Sequence, residues 1–310
     1  FKSLALAIVD EQHRFGVRER LALTSKGDAV DVLVLSATPI PRTLVLTYFG
    51  DMDISELREK PAGRQPINTR AVPASRLNEV IDAVGRAVKA GKLVYWICPL
   101  VEESENVEHL TDATTRFESL RERLGDQVGL VHGQMKGADK DRVMAQFAAA
   151  EIRVLVATTV VEVGVDVPDA TIMVIENAER FGLAQLHQLR GRIGRGSEAS
   201  TCLLLYREPL GEMSAARLRV IRETTDGFRI AEEELRLRGE GEVLGTRQSG
   251  LPGYRIARPE VHAQLIAQAR DEARRILRDN PKLEGPSGEA LRCLLYLYER
   301  DEAIPLIGAG

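Results

Sequence analysis

Asp10 and Glu11 are adjacent carboxylates placed directly behind the apolar run Leu4-Ala5-Leu6-Ala7-Ile8-Val9, and Gln12 and His13 follow them. A buried strand that ends in two acids suits phosphoryl transfer, in which one carboxylate serves Mg²⁺ and the other orients the attacking water. Consecutive strand residues point to opposite faces, but just past the strand end both can reach the crevice above a sheet. In this reading Asp10 holds the metal and Glu11 activates the water. Taken alone, an Asp-Glu pair after a strand is usually a polar loop.

A second constellation changes that balance. Gln188-Leu189-Arg190-Gly191-Arg192-Ile193-Gly194-Arg195-Gly196 interleaves arginines with glycines. Guanidinium forks bind phosphate oxygens bidentately, and glycines let the backbone approach another surface closely. A solubilising basic loop is the plain alternative, yet so many glycines are costly in an ordinary surface helix. Arginines brought from a second domain onto a γ-phosphate are the arginine-finger arrangement. A third piece, Thr158 to Pro168, offers hydroxyls, Gly164 and Asp166 behind another apolar run. Ser36-Ala37-Thr38 is weaker, because a Ser/Thr pair can merely cap a turn.

These residues need a frame. Leu4 to Val9 and Val30 to Leu35 are continuous apolar runs that suit parallel strands covered on both faces. Val17 to Thr24 reads as a short helix between them. The charged, proline-bearing stretch 58–66 is the best linker candidate. Beyond it strands are expected at 69–72, 93–100, 128–131, 153–158, 172–176 and 201–206. Helical spacing lies between them, at 77–88, within the charged stretch 102–125, at 138–149 and at 184–189. Such alternation implies a doubly wound parallel sheet. Residues 212–237 then read as a charged helical hairpin broken near Asp226-Gly227-Phe228, followed by a glycine-rich loop at 239–253 and helices at 261–279 and 289–300. The α/β chain therefore divides into 1–60, 61–207 and 208–310.

Composition sets outer limits. The 310 residues carry a net charge of −4, which gives no global electrostatic case for nucleic acid, so any such contact must be a local basic groove. No apolar run is long enough to span a membrane, and no signal peptide is visible at the first residues. Cys98, Cys202 and Cys293 lie far apart beside apolar segments and read as reduced core thiols. His132 ends a strand and is as well explained by a structural imidazole as by a functional one.

Together the motifs resemble those of superfamily 2 helicases and translocases. Asp10 to His13 matches motif II, Ser36-Ala37-Thr38 motif III, the Gly164/Asp166 loop motif V, and Gln188 to Arg195 motif VI. Asp10 to Val17, Ser36 to Leu44 and Phe181 to Gly196 look like the RecG family of branched-DNA translocases. Residues 226–231, 235–239 and 245–250 resemble the TRG motif that this family shares with Mfd-type coupling factors. The Mfd type usually has Glu-Gln after the motif II acids, where this chain has Gln12-His13, so RecG is favoured. The resemblance implies two RecA-like lobes, the first partial and the second complete, and ATP and Mg²⁺ as cofactors. It implies catalytic roles for Glu11, Gln188, Arg192 and Arg195, and ATP contacts for Asp10, Gln12, His13, Gly164 and Asp166. It further implies coupling through Ser36 and Thr38, and DNA contact through Arg238, Arg247 and Gln248. Forks and Holliday junctions are the implied substrates. Single-stranded DNA-binding protein is admitted as a partner, and the full-length protein is expected as a cytoplasmic, nucleoid-associated monomer.

A complete motor also needs a phosphate loop of the form G-x-x-x-x-G-K-S/T. The nearest approach, Gly85 to Leu93, has one residue too many between its glycines and Leu93 after Lys92, and reads as a helix stop. With Phe rather than Met at residue 1, the chain is expected to be a fragment that hydrolyses ATP poorly alone. The alternatives are an Mfd-type motor and a non-catalytic nucleic-acid-binding module.

Overall fold

The computed structural model describes residues 4–10, 30–36, 55–59, 65–99, 108–158, 167–238 and 259–298. Strands β1 (Leu6–Val9) and β2 (Asp31–Val34) pair in parallel, with Val9 opposite Val34. The larger sheet contains β3 (Ile67–Pro73), β4 (Leu93–Ile97), β5 (Val128–Val131), β6 (Val154–Ala157), β7 (Ala170–Ile175) and β8 (Ser200–Tyr206). Its six strands run in the order β3-β8-β7-β4-β6-β5, and every pairing is parallel. Both features are those of the doubly wound sheet expected from the alternating pattern.

Helices α1 (Leu77–Lys89), α2 (Glu108–Leu124), α3 (Gly137–Ala148) and α4 (Leu183–Arg190) connect these strands. Strand alternation divides the core. Val94 and Trp96 of β4 face one layer with Val80, Ile81, Val84 and Val88 of α1 and Ala113 and Leu120 of α2. Tyr95 and Ile97 face the other with Phe147 of α3 and Leu183, Leu186 and Leu189 of α4. There the Tyr95 and Phe147 rings meet edge to face at 4.9 Å. Every residue of β4 and β6 is buried, as their unbroken apolar runs require.

The β1–β2 pair departs from that expectation. Leu6, Ile8, Val32, Leu33 and Leu35 are exposed, while Ala7 and Val9 are buried. Burial alternates along β1 but β2 is exposed at Asp31, Val32 and Leu33, so the two-sided burial expected of these strands is not met among the described residues. The expected helix at 17–24 lies outside the described residues.

The Gly85 to Leu93 stretch is a helix stop. α1 ends at Lys89, Gly91 takes φ +86, and the Gly91 and Lys92 N–H groups donate back to the Val88 and Ala87 carbonyls. Helices α5 (Glu212–Glu223) and α6 (Gly227–Arg238) form the expected hairpin. Its break is built by Asp226, whose side chain accepts the Phe228 N–H at 2.9 Å. By compactness the sheet, its helices and this hairpin fall in one unit, and residues 241–310 fall in another. Within the latter, α7 (Pro259–Asp279) and α8 (Gly285–Leu297) are joined by a turn in which Asn280 bonds both the N–H and the carbonyl of Glu284. α8 begins four residues before its expected start, aided by a proline in its first turn. Cys98 and Cys202 are buried as expected, but Cys293, on α8, is exposed. Its apolar neighbours Leu294, Tyr296 and Leu297 are exposed with it, so an apolar stretch of sequence did not mean a core position.

Candidate active site

The arginine-bearing segment grows out of the end of β7. Asn177 takes the left-handed conformation (φ 47) just beyond the strand and turns the chain, and Gly182 then caps α4. Leu183, Leu186 and Leu189 pin α4 to the sheet with no exposed surface. Gln188 is half-buried on the final turn. The loop that follows has little slack. The Gly191, Arg192 and Ile193 N–H groups donate to the carbonyls of His187, Leu189 and Arg190 at 2.9, 3.0 and 3.3 Å. Gly194 has φ +70, and a Cβ there would stand 2.9 Å from Ile67 Cγ1, so this position needs glycine. Arg192 is half-buried and Arg195 exposed, the latter donating from Nε to the Gly191 carbonyl at 3.1 Å.

Arg190 does something else. It is 2% exposed, donates to the Ile221 carbonyl of α5, and bonds His187 Nδ1 at 3.2 Å. Burial lowers its pKa and pushes the neighbouring Cys202 thiol up to about 12. Of the three arginines read as phosphate forks, this one is a core bracket, because it sits on the inward stripe of α4.

In the first strand pair, Asp10 and Ser36 follow the C-terminal ends of β1 and β2 and are exposed. Leu35 N–H donates to the Val9 carbonyl at 2.8 Å, which carries the pairing one residue past the strands. Glu11, Gln12, His13, Thr38, Gly164, Asp166, Arg247 and Gln248 lie outside the described residues, and Arg238 is the last residue of α6. Among the described residues no group of three or more His, Cys, Asp or Glu could hold a metal. Magnesium does not need one, since it is commonly bound by one or two carboxylates together with waters and substrate phosphates. An exposed carboxylate at a strand end, such as Asp10, fits that demand.

Thr158 directly follows β6. It is 2% exposed, and its Oγ1 has no hydrogen-bond partner. His132, at the end of the adjacent β5, likewise has an unpartnered Nδ1. Burial, and then the charge of Lys140, lower the pKa of His132. It is therefore not the satisfied imidazole that one sequence reading allowed.

Several contacts were not anticipated. Glu234 of α6 is 8% exposed and accepts the Leu183 N–H at 2.8 Å. Arg217 of α5 donates to the Phe181 carbonyl at 3.0 Å, so the hairpin also holds the approach to α4. Glu176, one residue past β7, accepts from Trp96 Nε1 and from Arg116 Nε, each at 2.5 Å. In the linker, the Arg58 guanidinium lies 4.8 Å above the Phe228 ring.

Comparison with known proteins gives these features a family. Residues 75–197 match the model of the helicase conserved C-terminal domain. Residues 224–298 match the model of ATP-dependent DNA helicase RecG, domain 3, C-terminal. The chain is 50% identical over 283 residues to ATP-dependent DNA helicase RecG of Acidithiobacillus ferridurans, covering 91% of this chain and 41% of that one. The chain belongs to the RecG family. With RecG of Escherichia coli K12 it shares 52% identity over 263 residues, 83% of this chain and 38% of the relative. A solved structure of RecG bound to a three-way DNA junction superposes with a TM-score of 0.66 at 44% identity, covering 86% of this chain and 34% of that one. The Mycobacterium smegmatis helicase Lhr, at 20% identity and a TM-score of 0.54, shares the fold. The sheet is thus the RecA-like helicase fold, and the second helix of the hairpin with the segment that follows it, residues 224–298, is what matches the RecG domain model. The chain spans about two-fifths of the curated RecG relatives quoted, 41% and 38%.

Proposed function

We propose that this chain is the part of an ATP-dependent branched-DNA translocase that senses nucleotide and passes its state to DNA. The observation that carries the reading is the arginine loop, short, glycine-shaped and hydrogen-bonded to the end of α4, in a chain of the RecG family. A loop so held presents Arg192 and Arg195 with little reorganisation, which is what stabilisation of a transferring phosphoryl group requires. Gln188 stands one turn behind and orients the reacting groups. On the first lobe, Glu11 activates the attacking water, Asp10 holds the metal, and Gln12 and His13 contact the nucleotide. Magnesium, when bound there, neutralises charge on the β- and γ-phosphates. Gly164 and Asp166 complete the nucleotide crevice, and Ser36 and Thr38 couple the lobes. We place the lobe boundary near residue 60 and begin the C-terminal segment near 208.

DNA contact is assigned to Arg238, the last residue of the hairpin, and to Arg247 and Gln248 beyond it in sequence. Phosphate-backbone binding of this kind is independent of sequence and weakened by salt. The substrate class, forks and junctions, is supported by the three-way junction in the related RecG structure. Because α4 packs against both α5 and α6, a change of γ-phosphate contact at Arg192 and Arg195 moves the hairpin with it. Action on the nucleoid in the cytoplasm as a monomer, with single-stranded DNA-binding protein as a partner, completes the proposal. Among the described residues no helix is long and apolar enough to cross a membrane.

The test is unwinding of a labelled three-way junction by the full-length protein, with ATP hydrolysis followed in parallel. ATP-dependent unwinding with junction-stimulated hydrolysis is expected. Hydrolysis indifferent to DNA, or no unwinding, overturns the reading.

A further inference from the structure

Helix α4 carries Gln188 and runs straight into Arg192 and Arg195, so whatever holds α4 sets where those groups stand. The first N–H groups of a helix have no partner within it. Here Gly182 N–H is met locally by Gln185 Oε1 at 3.3 Å, but Leu183 N–H is met by Glu234 Oε2 from α6 at 2.8 Å. A carboxylate at that end is favoured by the helix dipole, which offsets the cost of burying Glu234 to 8% exposure. At the far end, Arg190 donates to the Ile221 carbonyl of α5. An eight-residue helix is therefore fixed at both ends to two different helices of the hairpin, each time by a buried charged side chain.

We propose that Glu234 is a positioning residue for ATP hydrolysis: by accepting the Leu183 N–H it fixes α4, and through it the point at which Arg192 and Arg195 meet the γ-phosphate. The proposal rests on the arginine roles given under Proposed function. The mechanical link is short. Leu183 and Arg190 are the first and last of the eight residues of α4, and the backbone bonds of Gly191 and Arg192 onto His187 and Leu189 transmit any tilt of α4 to the loop. Displacement of a phosphate-binding group by about 1 Å can cost up to roughly 100-fold in rate. Glu234 touches neither nucleotide nor DNA in this account, so its effect falls on kcat and not on ATP affinity.

The experiment compares Glu234→Ala and Glu234→Gln in the full-length protein, measuring junction-stimulated kcat and KM for ATP, with circular dichroism and thermal unfolding as the check of fold. Gln keeps an acceptor oxygen for the Leu183 N–H and Ala removes it. A drop in kcat of roughly tenfold or more is expected for Ala, with KM within about twofold and most of kcat restored by Gln. Should Ala not fold, Glu234→Leu fills the same volume without an acceptor and replaces it. A folded Ala or Leu variant with wild-type kcat overturns the proposal, and so does a Gln variant as impaired as Ala. Arg192→Ala is run beside them. Wild-type hydrolysis in that variant sinks the arginine reading itself, whereas its loss alongside an unaffected Glu234→Ala sinks only the positioning role.

Discussion

Arg190 donates to the Ile221 carbonyl, joining the last residue of α4 to the last turn of α5 within the core. This bond removes one arginine from the phosphate-binding set and makes it part of the frame. Arg190→Ala leaves the Ile221 carbonyl without this donor and opens a cavity beside Cys202. A loss of about 2–4 kcal/mol is expected, read as a lower denaturation midpoint in urea. Arg195→Ala, at an exposed position, serves as the control and should shift stability by no more than about 0.5 kcal/mol.

Both buried charges of the α4–hairpin contact were legible in principle. Arg190 falls seven residues after Leu183 and four after Leu186, on the apolar stripe of α4. Glu234 falls four residues after Ile230 on the stripe of α6. A charge on an apolar stripe signals a buried partner, but alternating Arg and Gly in one case and the run Glu232-Glu233-Glu234 in the other hid the register. The strands were easier to read, because unbroken apolar runs such as Leu93 to Ile97 and Val154 to Ala157 allow little else. Which residues past each strand end face one another depends on strand order, and β4 lying between β7 and β6 is a matter of packing that local sequence does not encode.

Glu176 joins Trp96 and Arg116 into a network beside the C-terminal ends of β4 and β7, and the guanidinium lies 5.8 Å from the Trp96 ring centroid. Trp96 is the only tryptophan in the sequence and has no exposed surface, so its fluorescence reports on this network. Glu176→Ala leaves the indole N–H without that acceptor. A loss of about 2–3 kcal/mol and a changed Trp96 emission are expected. Glu176→Gln, which keeps an acceptor, should lose less.

His132 gives stability a pH dependence with a definite sign. Burial first, and Lys140 second, hold its folded pKa below the ordinary 6.5. The unfolded chain therefore binds a proton before the folded one does. The contribution is fully present above 6.5 and falls as pH drops from 6.5 towards the lowered value. His132→Gln should flatten that part of the stability profile, measured by denaturation across the window. An unchanged slope would show that another group is responsible.

Arg247 is assigned to DNA and not to chemistry. In the full-length protein Arg247→Ala should impair junction unwinding more than ATP hydrolysis, and should reduce the slope of log affinity against log salt by about 1. Equal loss of unwinding and hydrolysis would make Arg247 a structural residue instead.

The most direct measurement is junction-stimulated ATP hydrolysis by the full-length Arg192→Ala protein, with nucleotide binding measured alongside. If the loop behind α4 delivers Arg192 to the γ-phosphate, kcat falls by roughly 1,000-fold while the enzyme still folds and binds nucleotide. Hydrolysis at the wild-type rate would contradict the account.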